Sequence, residues 1–507
     1  MDLTLAMVLL ALLIFSLLLK IVFRYTTPAP RLPPGPWRLP IVGSLHHLLL
    51  SPHRNQPHLA LCELSTRYGP LMLLRLGSVP TLVVSSAEAV REVTKTHDLA
   101  FCSRHLSPTI DIITCGGRDI VFSPYNDQWR ELRKICVLEL LSQRRVLHFR
   151  PVREEEVARL VTSISGECSS SSHPINLSEK IRRMVNDVVM RAAIGRRCDE
   201  HRDELLQGID EALRLAGAFN LVDLYPSSTL IRRCSAATWV MRRCQKKIYK
   251  IIANIIHDRA MGLAPGREED DDLLSVLLRL QKTSEPQCPL TDEIISGVIF
   301  DMFVAGNDTS SSTLEWAMSE LIKNPRVLRK AQLEVRDTFK GKEILTEDDM
   351  AKLCYLHLVI KEALRLHPPA PLIYRECRET CQVMGYQVPK GTAVFLNVLG
   401  IGRDRRYWDV AEEFMPERFH NSNIDFKGTD FEYIPFGTGR RICPGIHFAR
   451  ANMELALASL LYHFDWEIPG GVNAKELDMA DAFGISVRRK SMLCLNAKPH
   501  VTNVQSN

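Results

Sequence analysis

The chain has no Cys-x-x-Cys pair, no long run of lysine and arginine and no internal repeat, and each absence removes a class of protein. Its 14 cysteines lie singly along 507 residues, the nearest pair being Cys377 and Cys381. That pattern gives no disulfide framework and fits a reducing, cytosol-facing compartment. A net charge of +5 without a basic tract argues against a nucleic-acid binder and leaves room only for a local basic docking face. With no repeat and 46% hydrophobic residues, the chain is too apolar to be disordered and long enough to bury a large core, as one big domain or two lobes.

What is present begins with residues 3–19, LTLAMVLLALLIFSLLL, which carry no charge; the apolar character resumes after Lys20. As a helix the 21 positions 3–23 span about 30 Å, the thickness of a bilayer core. A cleaved signal peptide is the alternative. Against it, Asp2 stands where a positive n-region is usual and no small-x-small cleavage site follows. Lys20, Arg24, Arg31 and Arg38 come after the span, which predicts a single-pass anchor with the body in the cytosol. The proline-rich residues 25–40 then read as a stiff spacer. The expected organisation is an anchor over 1–24, a spacer over 25–40 and one catalytic body over 41–507.

Residues 71–85, LMLLRLGSVPTLVVS, predict a β-hairpin. Most of the rest has helical period, as in EEEVARLVTSI and DELLQGIDEALRLAGAF. GECSSSSHP near residue 170 and PGREEDDD near residue 268 read as loops. The fold class is mainly α with a minor β region.

Chemistry concentrates in residues 436–445, FGTGRRICPG. A structural cysteine needs no such company. Gly437, Gly439 and Gly445 let backbone approach a flat object or take positive φ. A strong helical segment follows Cys443, so its thiol lies before a helix N-terminus, where the dipole and nearby guanidiniums favour a thiolate suited to bind a metal axially. A second feature is a long helix expected from the start signal Thr291-Asp292-Glu293 to Pro325. In its middle lies AGNDTSSST, poor in helix formers. There the Thr309 hydroxyl can return to the Ala305 carbonyl and open the helix locally.

The motif formed by Phe436, Gly439, Arg441, Cys443 and Gly445 resembles the haem-binding loop of the cytochrome P450 superfamily. Three further segments agree: KEALR (Glu362, Arg365) with PERF (Arg418), AGNDT, and WRELRK (Trp129, Arg133). The likeness extends over nearly the whole chain and is nearest the plant A-type group, close to its seventy-first family. The resemblance implies the P450 fold, a haem with Cys443 as axial ligand, and Trp129, Arg133, Arg375 and Arg441 near its propionates. It also implies a structural ion network of Glu362, Arg365 and Arg418, and an acid and alcohol, Asp308 and Thr309, that bring protons to bound oxygen. His367 has no comparable role and reads as a local structural residue. Two departures stand out: APLIYRECRE is one residue shorter than usual before Arg375, and Arg405 replaces a common proline.

The implied reaction is monooxygenation of an apolar small molecule by O2, with electrons from NADPH through a cytochrome P450 reductase, at the endoplasmic reticulum membrane. Pocket positions placed by the family pattern are Ile110, Ile112, Ile113, Phe303, Val304, Ala305, Ala370, Leu372, Ile373, Phe483 and Ile485. Nearly all are apolar and none is Lys or Arg, which suits a sesquiterpene or diterpene; an indole or phenolic is the alternative, and a non-enzymatic haem carrier the alternative of another class. Arg133, Lys134, Arg144, Arg145 and Arg440 are expected to form a basic docking face for the reductase.

Overall fold

A computed structural model of the chain describes residues 31–170, 173–217, 219–262, 272–283, 288–471 and 473–500. Its axis is a helix of 32 residues, Asp292–Lys323, about 48 Å long at 1.5 Å per residue. The start signal works as read: the Thr291 hydroxyl accepts from the Ile294 N–H, with Asp292 and Glu293 in the first turn. The helix stops at Asn324, and Pro325 opens the next helix, Pro325–Thr338. Helices Leu177–Ile194, Ala236–Ala260 and Ile446–His463 pack around it through one continuous apolar core. Gly306 allows one close approach: a Cβ there would lie 3.0 Å from the Val189 side chain.

The β region is a four-stranded sheet in the order Leu71–Leu76, Val79–Val84, Ala393–Asn397, Leu372–Glu376. The first two form the expected hairpin, in register Leu71 to Val84 and Leu76 to Val79. Val79–Val84 then pairs in parallel with Ala393–Asn397, a non-local contact that brings Leu372 and Ile373 toward the central helix region. All 14 cysteines are free, in keeping with the absence of a disulfide framework.

Two expectations are corrected. The loop expected at GECSSSSHP starts late: helix Arg150–Ser170 runs through Gly166 to Ser170, helped by the Ser169 hydroxyl donating to the Ser165 carbonyl at 3.1 Å and by an ion pair between Lys180 and Glu167. The expected single-pass endoplasmic reticulum localisation is also withdrawn. Among the described residues no helix is long and apolar enough to cross a membrane. The longest, Asp292–Lys323, carries Asp301, Asp308, Glu315 and Glu320 in its interior. Residues 1–24, on which that expectation rested, lie outside the described residues, as does most of the loop near residue 268.

Candidate active site

Residues 436–445 form a closed turn shaped by two glycines. Gly437 and Gly439 have φ of +74° and +67°, where a Cβ is strained, and a Cβ on Gly439 would stand 2.6 Å from the Thr94 carbonyl oxygen. The turn sets the Cys443 N–H on the Phe436 carbonyl at 2.9 Å and carries the thiol to the wall of a cavity. Gly445 serves differently from the other two. Its φ is −91°, and its N–H donates to Cys443 Sγ at 3.3 Å. Burial pushes the Cys443 thiol above its ordinary value, and the Gly445 amide, Arg133 and Arg104 offset this only in part. The dipole and guanidiniums read from the sequence are therefore present but outweighed by desolvation. A bound metal cation reverses that balance, since a coordinating thiol is deprotonated outright.

The cavity has a volume of about 350 Å³. Phe436, Cys443 and Gly445 line it, as do Ala305, Asp308 and Thr309 from the central helix, and Trp129, Arg133 and Arg441. Of the expected pocket residues, Ile110, Ile113, Val304, Ala370, Leu372, Ile373 and Ile485 also line it. Five expected residues do not: Ile112, Phe303, Phe483, Arg375 and Gly439. Helical period explains two of them. Ile110 and Ile113 share a face from which Ile112 is turned, and Phe303 is buried in the core beside its cavity-facing neighbours. Phe483 instead stacks between His58 and Phe219, with ring centroids 5.2 and 6.2 Å away.

Along one part of the lining, cations rest on backbone carbonyls. Arg441 donates to the carbonyls of Cys102 at 2.7 Å, Ser123 at 2.5 Å and Ile120 at 3.4 Å, and its guanidinium lies 3.9 Å from the centre of the Trp129 ring. The Trp129 indole N–H donates to the Ile120 carbonyl at 3.0 Å. Arg133 donates to the Ile442 carbonyl, next to the cysteine, at 2.5 Å, which turns it inward and removes it from the expected docking face. Arg375 is buried behind this edge and donates to the Thr438 carbonyl at 3.3 Å. Arg104, which the sequence did not single out, also lines the cavity and donates to the Val121 carbonyl at 3.1 Å.

None of these four arginines forms an ion pair among the described residues. Burial drives Arg441 down to about 9 and Arg104 to about 10; it drives Arg375 well below its ordinary value, with Arg104 and Arg441 repelling it further. Unneutralised buried cations are costly, so this edge is built for an anion. A flat apolar body with an anionic rim and a metal facing Cys443 fits the whole donor set, as haem requires.

In the central helix the Thr309 hydroxyl donates to the Ala305 carbonyl at 2.7 Å, as the sequence predicted. The helix runs on without a break, so the opening is confined to side-chain bonds. Asp308 is almost fully buried and is held by Ser486 and Arg488. Arg488 also donates to Asp210 at 2.8 Å, and Asp210 pairs with Arg182. Side-chain exposure rises from 4% at Asp308 to 26% at Arg488 and 32% at Asp210, so the acid is the inner end of a charged chain leading outward. Burial raises the Asp308 carboxyl above its ordinary value against the pull of Arg488. Neither Ser486 nor Arg488 was foreseen. The available signal was that a buried helical Asp needs a cation.

Behind the cysteine turn, Arg365 donates to both Glu362 oxygens at 2.7 and 2.8 Å, and Arg418 to Glu362 at 2.8 Å. The Arg365 guanidinium also donates to the carbonyls of Ala411 at 2.7 Å and Glu413 at 3.2 Å. His367 bonds Glu320 at 2.7 Å and stacks on Trp316, a packing role.

Comparison with known proteins agrees with this geometry. The family described as Cytochrome P450 matches residues 33–494. The chain is 48% identical to zealexin A1 synthase of Zea mays, covering 97% of each chain, and 49% identical to dolabradiene monooxygenase of Zea mays, covering 93% of each. Its fold is similar to a solved zebrafish cytochrome P450 in complex with abiraterone, with a TM-score of 0.73, 26% identity, and coverage of 88% of this chain and 100% of that one. The chain belongs to the cytochrome P450 family and is a haem-thiolate monooxygenase.

Proposed function

From this family membership, we propose that the chain hydroxylates an apolar terpenoid, of sesquiterpene or diterpene size, using a haem that the Cys443 thiolate would hold. The observation that carries the substrate class is the aliphatic part of the cavity: Ile110, Ile113, Val304, Ala370, Leu372, Ile373 and Ile485 present hydrocarbon alone. Such a wall favours a ligand recognised by shape and burial, at roughly 25 cal/mol per Å² of apolar surface. A relative named for oxygenating dolabradiene supports a hydrocarbon substrate of this kind.

When bound, the haem supplies oxygen activation, using electrons from NADPH passed through a reductase. The protein's part is to hold, orient and supply protons. Gly445 offers its amide to the Cys443 sulfur. Arg104, Trp129, Arg133 and Arg441 hold the anionic rim, with Arg375 adding positive charge from behind. Thr309 and Asp308 both face the cavity; Thr309 can turn its hydroxyl from the Ala305 carbonyl, and Asp308 can hold a proton that Arg488 and Asp210 link to the surface. Lys134, Arg144 and Arg440 remain on the outside for a reductase, with Arg440 shared with Asp98 at 2.6 Å.

Incubation of the purified holoenzyme with NADPH, a reductase and a panel of terpene hydrocarbons, indoles and phenolics tests the substrate class. Hydroxylated terpene is the expected product. Turnover of an indole or phenolic but of no terpene overturns it.

A further inference from the structure

One buried acidic pair has no part in the function described so far. Asp301 lies on the central helix, seven residues before Asp308, and is 4% exposed; Asp119, in the segment between helices Pro108–Ile113 and Asp127–Ile135, is 0% exposed. The two carboxyls grip one short segment: Asp301 takes the N–H groups of Ile120 and Val121, and Asp119 that of Phe122. Neither forms an ion pair with a cation among the described residues.

Their bonds to backbone give the pair a direction. One Asp301 oxygen accepts from the N–H groups of Ile120 at 2.6 Å and Val121 at 3.1 Å. Asp119 accepts from the Phe122 N–H at 3.1 Å. The same peptides point their carbonyls at the cavity edge: Ile120 accepts from Trp129 and Arg441, and Val121 accepts from Arg104. One or two residues of backbone therefore separate the acids from three of the groups at the anionic rim, Trp129, Arg441 and Arg104. One helical turn before Asp301, a Cβ on Gly297 would stand 2.5 Å from the Arg118 carbonyl oxygen, so segment 118–123 lies directly against the helix there. Packing alone would seat it; the carboxyl fixes which way its peptides face.

We propose that Asp301, sharing one proton with Asp119, is a positioning residue that orients the peptides of Ile120 and Val121 and through them sets Trp129, Arg441 and Arg104 for the haem rim. One proton keeps the pair at a single negative charge, and two carboxylates side by side would repel and loosen the segment. Burial raises Asp119 to about 6 and Asp301 well above the ordinary carboxylate range, in keeping with a retained proton. The other titratable or charged groups that act on the pair are Tyr249 from helix Ala236–Ala260, Cys136 beyond helix Asp127–Ile135, and Arg441 and Arg104 beside Asp119.

Haem release from the holoenzyme to a haem-scavenging globin tests this without reading activity. Asn at 301 keeps an acceptor for both N–H groups and donates to Asp119; Leu keeps neither. Asp301→Leu is expected to release haem at least tenfold faster than wild type, and Asp301→Asn within twofold of it. Leu321→Ala, in the core of the same helix, serves as a control that lowers the melting temperature without touching segment 118–123, and is expected to release at the wild-type rate. Raising the pH from 7 to 9 should accelerate release more steeply from wild type than from Asp301→Asn, in which only rim cations such as Arg441 and Arg104 lose charge over that range. If Asp301→Leu does not fold, that pH profile decides alone. Equal haem release from Asp301→Leu and Leu321→Ala at matched loss of melting temperature, or an unchanged pH slope in Asp301→Asn, overturns the proposal.

Discussion

Two groups of arginines, one around Glu362 and one at the cavity edge, differ in what surrounds their charge. Arg365 and Arg418 share the Glu362 carboxylate, and the remaining Arg365 hydrogens reach the carbonyls of Gly402, Ala411 and Glu413. Arg375 and Arg441 are buried and Arg104 is partly so, but their hydrogen bonds go only to carbonyls, and they repel one another. The first group is complete without a ligand; the second is left with positive charge that a bound anion would neutralise. The same residue type therefore serves as a brace in one place and as a receptor in the other, and a directly bonded carboxylate, present in the first group and absent from the second, is what separates them.

Breaking the complete group should have the largest effect. Glu362→Ala leaves two buried guanidiniums without their carboxylate and is expected to cost about 3–5 kcal/mol of stability, read as a fall in unfolding midpoint and in yield of folded protein. Arg441→Ala should behave in the opposite way. Removal of one of three mutually repelling cations leaves the unfolding midpoint of the haem-free chain unchanged or raised. Haem release should accelerate about 10- to 100-fold, the worth of a charge-assisted hydrogen bond. If Arg441→Ala lowered the haem-free midpoint as far as Glu362→Ala does, the distinction between the groups would be lost.

Thr309→Ala should leave both groups untouched, with unfolding midpoint and haem release at wild-type values, while product formed per NADPH consumed falls about tenfold or more as a positioned proton donor is lost. The smallest effect is expected for Ile373→Val, about 0.5–1.5 kcal/mol in stability, with a change in the ratio of hydroxylated positions because the removed methyl faces the substrate space. An unchanged product ratio would mean that Ile373 does not touch the substrate.

The complete group was legible in the sequence, while Arg104 of the receptor and the partners of Asp308 were not, for a physical reason. Glu362 and Arg365 are three apart on one helix, and the cysteine turn is contained in ten residues, so local spacing displays both. The Thr309 bond to Ala305 is likewise a property of five successive residues. Arg104 stands alone in FCSRHLSP, and its place at the rim depends on segment 119–123 crossing beside it. Ser486 and Arg488 meet Asp308 across 178 and 180 positions of chain, through a tight C-terminal pairing of Asp481–Ala482 with Arg488–Arg489. Pocket residues failed by orientation: Ile112 and Phe303 have the right chemistry in the right elements but lie off the face that meets the cavity.

The most direct test of the account is the carbon monoxide difference spectrum of the reduced holoenzyme, recorded for wild type and for Cys443→Ser. The account predicts the red-shifted Soret band of thiolate-ligated haem in wild type and its loss in Cys443→Ser protein of native circular dichroism. The same band persisting in Cys443→Ser would contradict the assignment of this cysteine as the ligand, and with it the reading of the turn that holds it.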